Sequence, residues 1–160
     1  MKPVHPILVH FPIALLSLSV AADLIGYFAD VASLRDTGWW ALLGAALGGI
    51  ATAGAGVYDM KRADIAEEVH HRVHRHMKVG LVLVAAIIGL TLWRWSVQSA
   101  GGIVPMFYLD LAVLTVALAA FQGWLGGELV YTDGVFVAQE TPVEKNDPDG
   151  GKTKDHGHHH

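Results

Sequence analysis

Four long apolar stretches constrain the fold of this chain more than any other feature of its sequence. They span about residues 7–28, 39–58, 79–97 and 106–130. Each comes close to the roughly 20 apolar residues that an α-helix needs to cross a lipid bilayer. Only helices and closed barrels satisfy their backbone polar groups within lipid. The sequence therefore predicts an all-α fold, an integral membrane four-helix bundle with short loops.

The composition agrees with a membrane protein and excludes several kinds of site. Of the 160 residues, 52% are hydrophobic and 16% are charged, whereas a soluble domain carries about a quarter charged residues. The sequence contains no cysteine, which excludes disulfides and thiolate metal sites. It also lacks the basic stripe that nucleic-acid binding requires. The lipid bilayer is thus the partner expected first, and no nucleic-acid partner is expected.

The sequence changes character after the fourth apolar stretch. From about residue 138 it is polar and rich in charge, glycine and proline, and four histidines lie among its last five residues. A segment of this composition buries too little apolar surface to fold. We therefore expect one membrane domain at 1–137 and a disordered tail at 138–160.

Basic residues predict the orientation in the membrane. Four spans place both termini on one side, and six basic residues lie near helix ends on that side: Lys2, Lys61, Arg62, Arg72, Arg75 and Lys78. The other side holds Arg35 and Arg94. Because loops rich in lysine and arginine stay inside, both termini are expected in the cytoplasm, most simply at a bacterial inner membrane.

Histidines cluster at the same end of the predicted bundle. Apart from those in the tail, all lie at the start of the first span or just before the third: His5, His10, His70, His71, His74 and His76. Pro12 cannot donate to the Leu8 carbonyl, so the helix should loosen beside His10. Polar residues at membrane depth usually face the bundle interior, and His10 is therefore expected to point inward.

Two imidazoles from facing helices are what a six-coordinate haem b requires, and helical bundles build cofactor sites in this way. The sequence predicts axial ligands His10 and His74, with His5 and His70 as a second pair one turn away. The chain would then be a b-type cytochrome-like electron carrier or an accessory subunit rather than a stand-alone enzyme. A redox partner, a larger membrane complex or a homo-oligomer would fit that role.

Two alternatives remain open from the residues. The first is a non-haem metal ion bound in the Glu/His cluster 67–76, because Glu67-x-x-His70 and Glu68-x-x-His71 have the spacing of carboxylate-bridged metal sites. Its ligands would be Glu67, Glu68 and His71 together with Asp59. The second is a cofactor-free scaffold or assembly subunit, in which the histidines are interfacial groups near helix ends.

Charged residues within the spans predict further contacts. Asp23 and Arg94 lie at matching depths, so we expect them to form an ion pair, joined by Asp110 at the start of the fourth span. Glu128 returns to the histidine-rich end, where it is predicted to accept a hydrogen bond from an imidazole and fix its tautomer.

Glycines in the second span leave two interpretations open. Gly44, Gly48 and Gly49 have the spacing that lets helix backbones approach closely. The same small residues would also leave room for the flat face of a cofactor.

Two segments of the chain resemble the bacterial membrane domain-of-unknown-function family 2231. One is HPILVHFPIAL, from His5 to Leu15, and the other is GWLGGELVY, from Gly123 to Tyr131. Asp59 and a histidine near the third span also match. The resemblance implies a small four-helix membrane protein without a settled activity, and it implies a role for the first two histidines, His5 and His10.

The same resemblance implies a redox setting, because some relatives are fused to Rieske-type iron–sulfur domains. This chain departs from the family pattern after Tyr131. Relatives often continue with a basic residue, a histidine and a glycine, where this sequence has Thr132-Asp133-Gly134.

Overall fold

The computed structural model describes residues 5–62 and 67–131 of the chain. These residues form α1 (His5–Leu8), α2 (His10–Phe28), α3 (Ala32–Arg62), α4 (Glu67–Ser99) and α5 (Met106–Tyr131). Helices α2 to α5 each contain a segment long and apolar enough to cross a membrane. The predicted all-α architecture with four spans is confirmed, and the predicted tail at 138–160 lies outside the described residues.

The first span is interrupted where the sequence predicts it. Pro12 has no backbone N–H, so the Leu8 carbonyl lacks its usual helical donor. Helix α1 ends at Leu8 and α2 begins at His10, while the Val9 amide still donates to the His5 carbonyl at 3.0 Å. The interruption leaves α1 as one helical turn that packs mainly against α3.

Short turns join α2 to α3 and α4 to α5. Asp30, between α2 and α3, has a left-handed backbone with φ of 53°, a conformation that aspartate tolerates better than most residues. Arg35 closes this turn by donating to Asp30 Oδ1 at 3.0 Å and to the Gly26 carbonyl at 2.8 Å. Gly101, between α4 and α5, has φ of 73° and supplies the freedom that the second turn needs.

The four long helices form a closed ring, in which α2 packs on α3, α3 on α4, α4 on α5 and α5 on α2. Because consecutive helices run antiparallel, the start of α2, the end of α3, the start of α4 and the end of α5 share one end of the bundle. We call this the histidine end, defined by His5, Asp59, His76 and Gln122. The opposite end is the ion-pair end, defined by Asp23, Arg35 and Arg94.

An apolar layer separates the two ends. It contains side chains from every long helix: Leu16, Leu42, Ala45, Leu83, Ile87, Leu90, Leu109 and Ala112. Thr91 and Thr115 also lie inside, but their hydroxyls donate to carbonyls of their own helices. His76 and Arg94 are eighteen residues apart on α4, which is about 27 Å along a helix. This separation is close to the roughly 30 Å thickness of the hydrocarbon core of a bilayer.

Glycines of α3 allow close packing against α2. A Cβ atom placed on Gly44 would lie 2.9 Å from Leu15 Cδ1, and one on Gly48 would lie 3.4 Å from Phe11 Cδ1. Gly49 is buried, whereas Gly44 and Gly48 are half-buried. Of the two interpretations of these glycines, close helix packing therefore accounts for the contacts of Gly44 and Gly48.

Candidate functional site: a histidine pair on two helices

Two histidines from different helices face each other at the histidine end. The ring centres of His5 on α1 and His76 on α4 lie 6.2 Å apart, and the ring planes are at 88°. Both residues are half-buried. His76 lies one heptad before the buried Leu83, so it shares the inward face of α4.

Helix α3 positions His5 through two hydrogen bonds. The His5 Nδ1 atom lies 3.0 Å from the Thr52 carbonyl oxygen. Because a carbonyl only accepts, Nδ1 carries the proton and Nε2 keeps its lone pair. The backbone N–H of His5 donates to Asp59 Oδ2 at 2.9 Å, and Asp59 is 8% exposed. A histidine whose ring N–H is held by a carbonyl is the usual arrangement for binding metal through the other nitrogen.

Helix α5 contacts His76 through Gln122. The Gln122 Nε2 atom donates to the His76 carbonyl oxygen at 2.9 Å and lies 3.2 Å from His76 Nε2. Gln122 is 7% exposed. Gly80 makes room for the amide, because a Cβ atom at that position would lie 2.8 Å from Gln122 Nε2. The contact therefore depends on the absence of a side chain on the facing turn of α4.

Glycines also lie directly against both imidazoles. A Cβ atom on Gly56 would lie 3.0 Å from His5 Nδ1, and one on Gly126 would lie 3.1 Å from His76 Cε1. Both distances are shorter than ordinary van der Waals contacts. The two ring positions are thus set by backbone on α3 and α5 as well as by hydrogen bonds.

Three buried polar atoms of this cluster have no hydrogen-bond partner within the described part of the chain: Thr52 Oγ1, His76 Nδ1 and Gln122 Oε1. Leaving such an atom unsatisfied costs about 1–3 kcal/mol, and folded proteins satisfy nearly all of them. Two of the three atoms are oxygens that can accept hydrogen bonds, and the third is a ring nitrogen. A bound ion or a small polar ligand would supply the missing contacts.

The predicted axial pair, His10 with His74, is not the pair that faces across the bundle. His10 is exposed, so the expectation that it points into the bundle interior is wrong. It lies thirteen residues before the buried Asp23, which puts it roughly 220° around α2. His74 is half-buried and lies roughly 200° around α4 from His76.

The other predicted ligands are distributed differently. His71 is exposed on α4, and the side chains of Glu67, Glu68 and His70 lie outside the described residues. Within the ranges that the structure describes, no group of three or more His, Asp or Glu residues is placed to hold a metal ion. Glu128 is half-buried on α5, and its role stays a prediction.

The predicted ion pair at the opposite end is confirmed. Arg94 Nη1 donates to Asp23 Oδ2, and the two side chains are 1% and 2% exposed. Arg94 Nη2 donates to the Arg35 carbonyl at 2.5 Å, and the guanidinium carbon lies 5.8 Å from the centre of the Tyr108 ring. The predicted participation of Asp110 is wrong, because this residue is exposed and lies on another face of α5.

Sequence reasoning did not assign roles to His76, Gln122 or Thr52. The sequence of α5 does indicate that Gln122 faces inward. Tyr108, Thr115 and Gln122 follow one another at intervals of seven residues, and all three are buried. Polar residues repeating at this interval in an apolar helix mark its inward face.

The four apolar helices, with polar groups buried at both ends, define a small helical membrane protein. Residues 1–139 match the family model described as predicted membrane protein (DUF2231), and the chain belongs to this family. The resemblance read from the two end segments is therefore confirmed. No curated protein and no solved structure matches the chain.

Proposed function

We propose that this chain is a b-type cytochrome-like membrane electron carrier in which His5 and His76 bind one haem iron from opposite sides. The observation that supports it is the histidine pair, with ring centres 6.2 Å apart. Two imidazoles on opposite sides of one metal, with bonds of about 2.0–2.1 Å, place their ring centres roughly 6 Å apart. In this proposal His5 and His76 take the roles that the sequence predicted for His10 and His74.

The number of protein ligands favours haem over a bare ion. No third His, Asp or Glu joins the pair within the described ranges, so a bare ion would find only two ligands of these types among those residues. A porphyrin supplies four nitrogen ligands of its own. His5 and His76 would be the two protein ligands of such a group, and a haem held by two imidazoles would supply electron transfer rather than substrate binding.

We place the site at one face of the membrane, where a partner would reach it. In this proposal both termini and the histidine end face the cytoplasm of a bacterial cell, as the lysine and arginine distribution favours. A haem held by His5 and His76 would exchange electrons there with a redox partner or with a larger membrane complex that contains this chain. The chain acts as a carrier or accessory subunit.

The absorption spectrum of the full chain tests this proposal. The protein is expressed in haem-replete cells, purified in mild detergent and measured before and after dithionite reduction. We expect a Soret band that is lost in His5→Ala and in His76→Ala. Matched controls are His10→Ala and His74→Ala, which retain the band because those residues lie on other helix faces.

Folding is checked separately, by circular dichroism of each variant. Adding imidazole to His76→Ala should restore part of the band, because the free ligand replaces the missing side chain. A colourless wild-type protein, or a band that survives in both His5→Ala and His76→Ala, overturns the haem proposal.

A bound metal ion without porphyrin is the second candidate, favoured by the buried Thr52 Oγ1 and Gln122 Oε1 atoms, which have no hydrogen-bond partner among the described residues. The Glu/His cluster at 67–76 is a separate prediction for such an ion. Elemental analysis tests for such an ion in a variant whose four tail histidines are replaced by alanine. The replacement is needed because the tail histidines could bind stray metal by themselves. A colourless and metal-free protein favours the remaining alternative, a cofactor-free assembly subunit or homo-oligomer.

A further inference from the structure

We propose that Gln122 is a positioning residue that determines which nitrogen of His76 carries the proton and thereby opposes metal binding by His76. The contact between the two side chains is part of the histidine end. The effect of Gln122 on metal binding rests on the proposed function. Its effect on the position of the His76 proton depends only on the hydrogen bonds.

The orientation of the Gln122 amide follows from the His76 carbonyl. That carbonyl oxygen lies 2.9 Å from the atom assigned as Gln122 Nε2. A carbonyl oxygen only accepts hydrogen bonds, so an amide NH₂ group must face it. The reverse orientation would bring two acceptor oxygens together and leave both without a proton. The backbone therefore fixes the Gln122 amide in one orientation.

The orientation of the amide then fixes the tautomer of His76. The same Gln122 Nε2 atom lies 3.2 Å from His76 Nε2, and its second N–H donates to that ring nitrogen. A nitrogen that accepts a hydrogen bond cannot carry a proton itself, so the proton of the neutral ring lies on Nδ1. That Nδ1 atom is the buried ring nitrogen without a partner among the described residues.

The two imidazoles of the pair are therefore in opposite tautomers. His5 carries its proton on Nδ1, where it donates to the Thr52 carbonyl, and its Nε2 lone pair is available to a metal. His76 has its lone pair at Nε2, where Gln122 occupies it. A metal binds a lone pair rather than an N–H group. His76 can become a ligand through either nitrogen only if the Gln122 contact breaks.

Replacing the amide by a carboxylate should reverse this effect. In Gln122→Glu the carboxylate cannot donate to the His76 carbonyl, so it turns towards the imidazole and accepts a hydrogen bond from His76 Nε2, which leaves the lone pair on Nδ1. A carboxylate that holds the outer N–H of a histidine ligand typically raises metal affinity by 10-fold or more. We therefore expect Gln122→Glu to bind haem about tenfold more tightly than wild type. Gln98→Glu is the matched control, because Gln98 is exposed at the ion-pair end.

Nitrogen NMR of the metal-free full chain in detergent measures the tautomer directly. The ¹⁵N shifts of His76, assigned by their loss in His76→Asn, should show a proton on Nδ1 in wild type and in Gln98→Glu. They should show the proton on Nε2 in Gln122→Glu. A wild-type His76 with its proton on Nε2 overturns the inference.

Titration with hemin forms the second arm and separates the two proposals. Tighter binding by Gln122→Glu than by wild type and Gln98→Glu supports the opposing role of Gln122, and equal or weaker binding overturns that role. If no variant binds hemin while NMR gives the expected tautomers, the haem proposal fails and the assignment of the His76 proton to Gln122 stands.

Discussion

Asp23 on α2 and Arg94 on α4 form an ion pair that is almost completely withdrawn from solvent, with 2% and 1% of their side chains exposed. Removing one partner of a buried pair leaves an uncompensated charge and costs about 3–5 kcal/mol. We expect Asp23→Ala to destabilise the protein by about that amount and to lower its melting temperature in detergent. The control Asp110→Ala, at an exposed position on α5, should have a much smaller effect.

A double replacement tests whether the charge itself is the cause. In Asp23→Leu combined with Arg94→Leu neither charge is left alone, and exchange of a buried pair for apolar residues is often neutral or stabilising. The double variant should therefore melt above Asp23→Ala. Equal melting temperatures for Asp23→Ala and Asp110→Ala would show that the pair contributes nothing measurable.

Gly38 is expected to be intolerant of any side chain. A Cβ atom at this position would overlap with Asp23 Oδ1, and the Gly38 carbonyl accepts a hydrogen bond from Ser19 at 2.7 Å. Gly38→Ala should therefore push the Asp23 carboxylate away from Arg94 and lower the melting temperature. We expect the loss to resemble that of Asp23→Ala.

A glycine further along α3 provides the matched control for Gly38. A Cβ atom on Gly54 would meet nothing within 4 Å. Alanine is favoured over glycine within a helix by roughly 1 kcal/mol, so Gly54→Ala should leave the melting temperature unchanged or raise it. Similar losses for Gly38→Ala and Gly54→Ala would contradict the assigned role of Gly38.

The helices and the ion pair could be predicted from the sequence because each depends on one dominant effect. Stretches of apolar residues set the spans, and Pro12 sets the break between α1 and α2. Asp23 and Arg94 could be paired because two charges at matching depth in lipid have few other stabilising partners. None of these inferences requires knowledge of which way a helix faces.

The histidine pair depends on helix rotation, which hydropathy does not determine when a helix is apolar on all sides. For α4 the ion pair supplies this rotation. His76 lies eighteen residues before Arg94 on the same helix, and eighteen residues are five complete turns of an α-helix. Counting back from Arg94 therefore identifies His76 as the inward histidine, whereas His74 falls on another face. The same count cannot be made from Asp23 to His5, because the helix is interrupted between α1 and α2.

The hydrogen bonds around the histidine pair could not be found by counting residues from the ion pair. Gln122 comes from a helix without a charge in the ion pair, and Thr52 contacts His5 through its backbone carbonyl. Every residue type has a backbone carbonyl, so the sequence gives no sign of such a contact. The tautomers of both rings could therefore be derived only from the structure.

Asp59 is expected to hold α1 in place. Its carboxylate accepts a hydrogen bond from the His5 backbone N–H at 2.9 Å, and hydrogen bonds to charged groups contribute about 1.5–3 kcal/mol. In Asp59→Ala the His5 amide should exchange with solvent faster, as measured by hydrogen–deuterium exchange and NMR. The exposed Asp36, at the ion-pair end, is the control, and unchanged exchange in Asp59→Ala would contradict the role of Asp59.

Gly126 is expected to set the position of the His76 ring from α5. A Cβ atom on Gly126 would lie 3.1 Å from His76 Cε1, whereas one on the adjacent Gly127 would meet nothing within 4 Å. Gly126→Ala should therefore displace the imidazole, shift its NMR signals and weaken hemin binding, while Gly127→Ala should preserve both. Because the two variants add the same methyl group to the same helix, a general effect on helix stability would act on them equally. Only a contact with His76 predicts a difference between them.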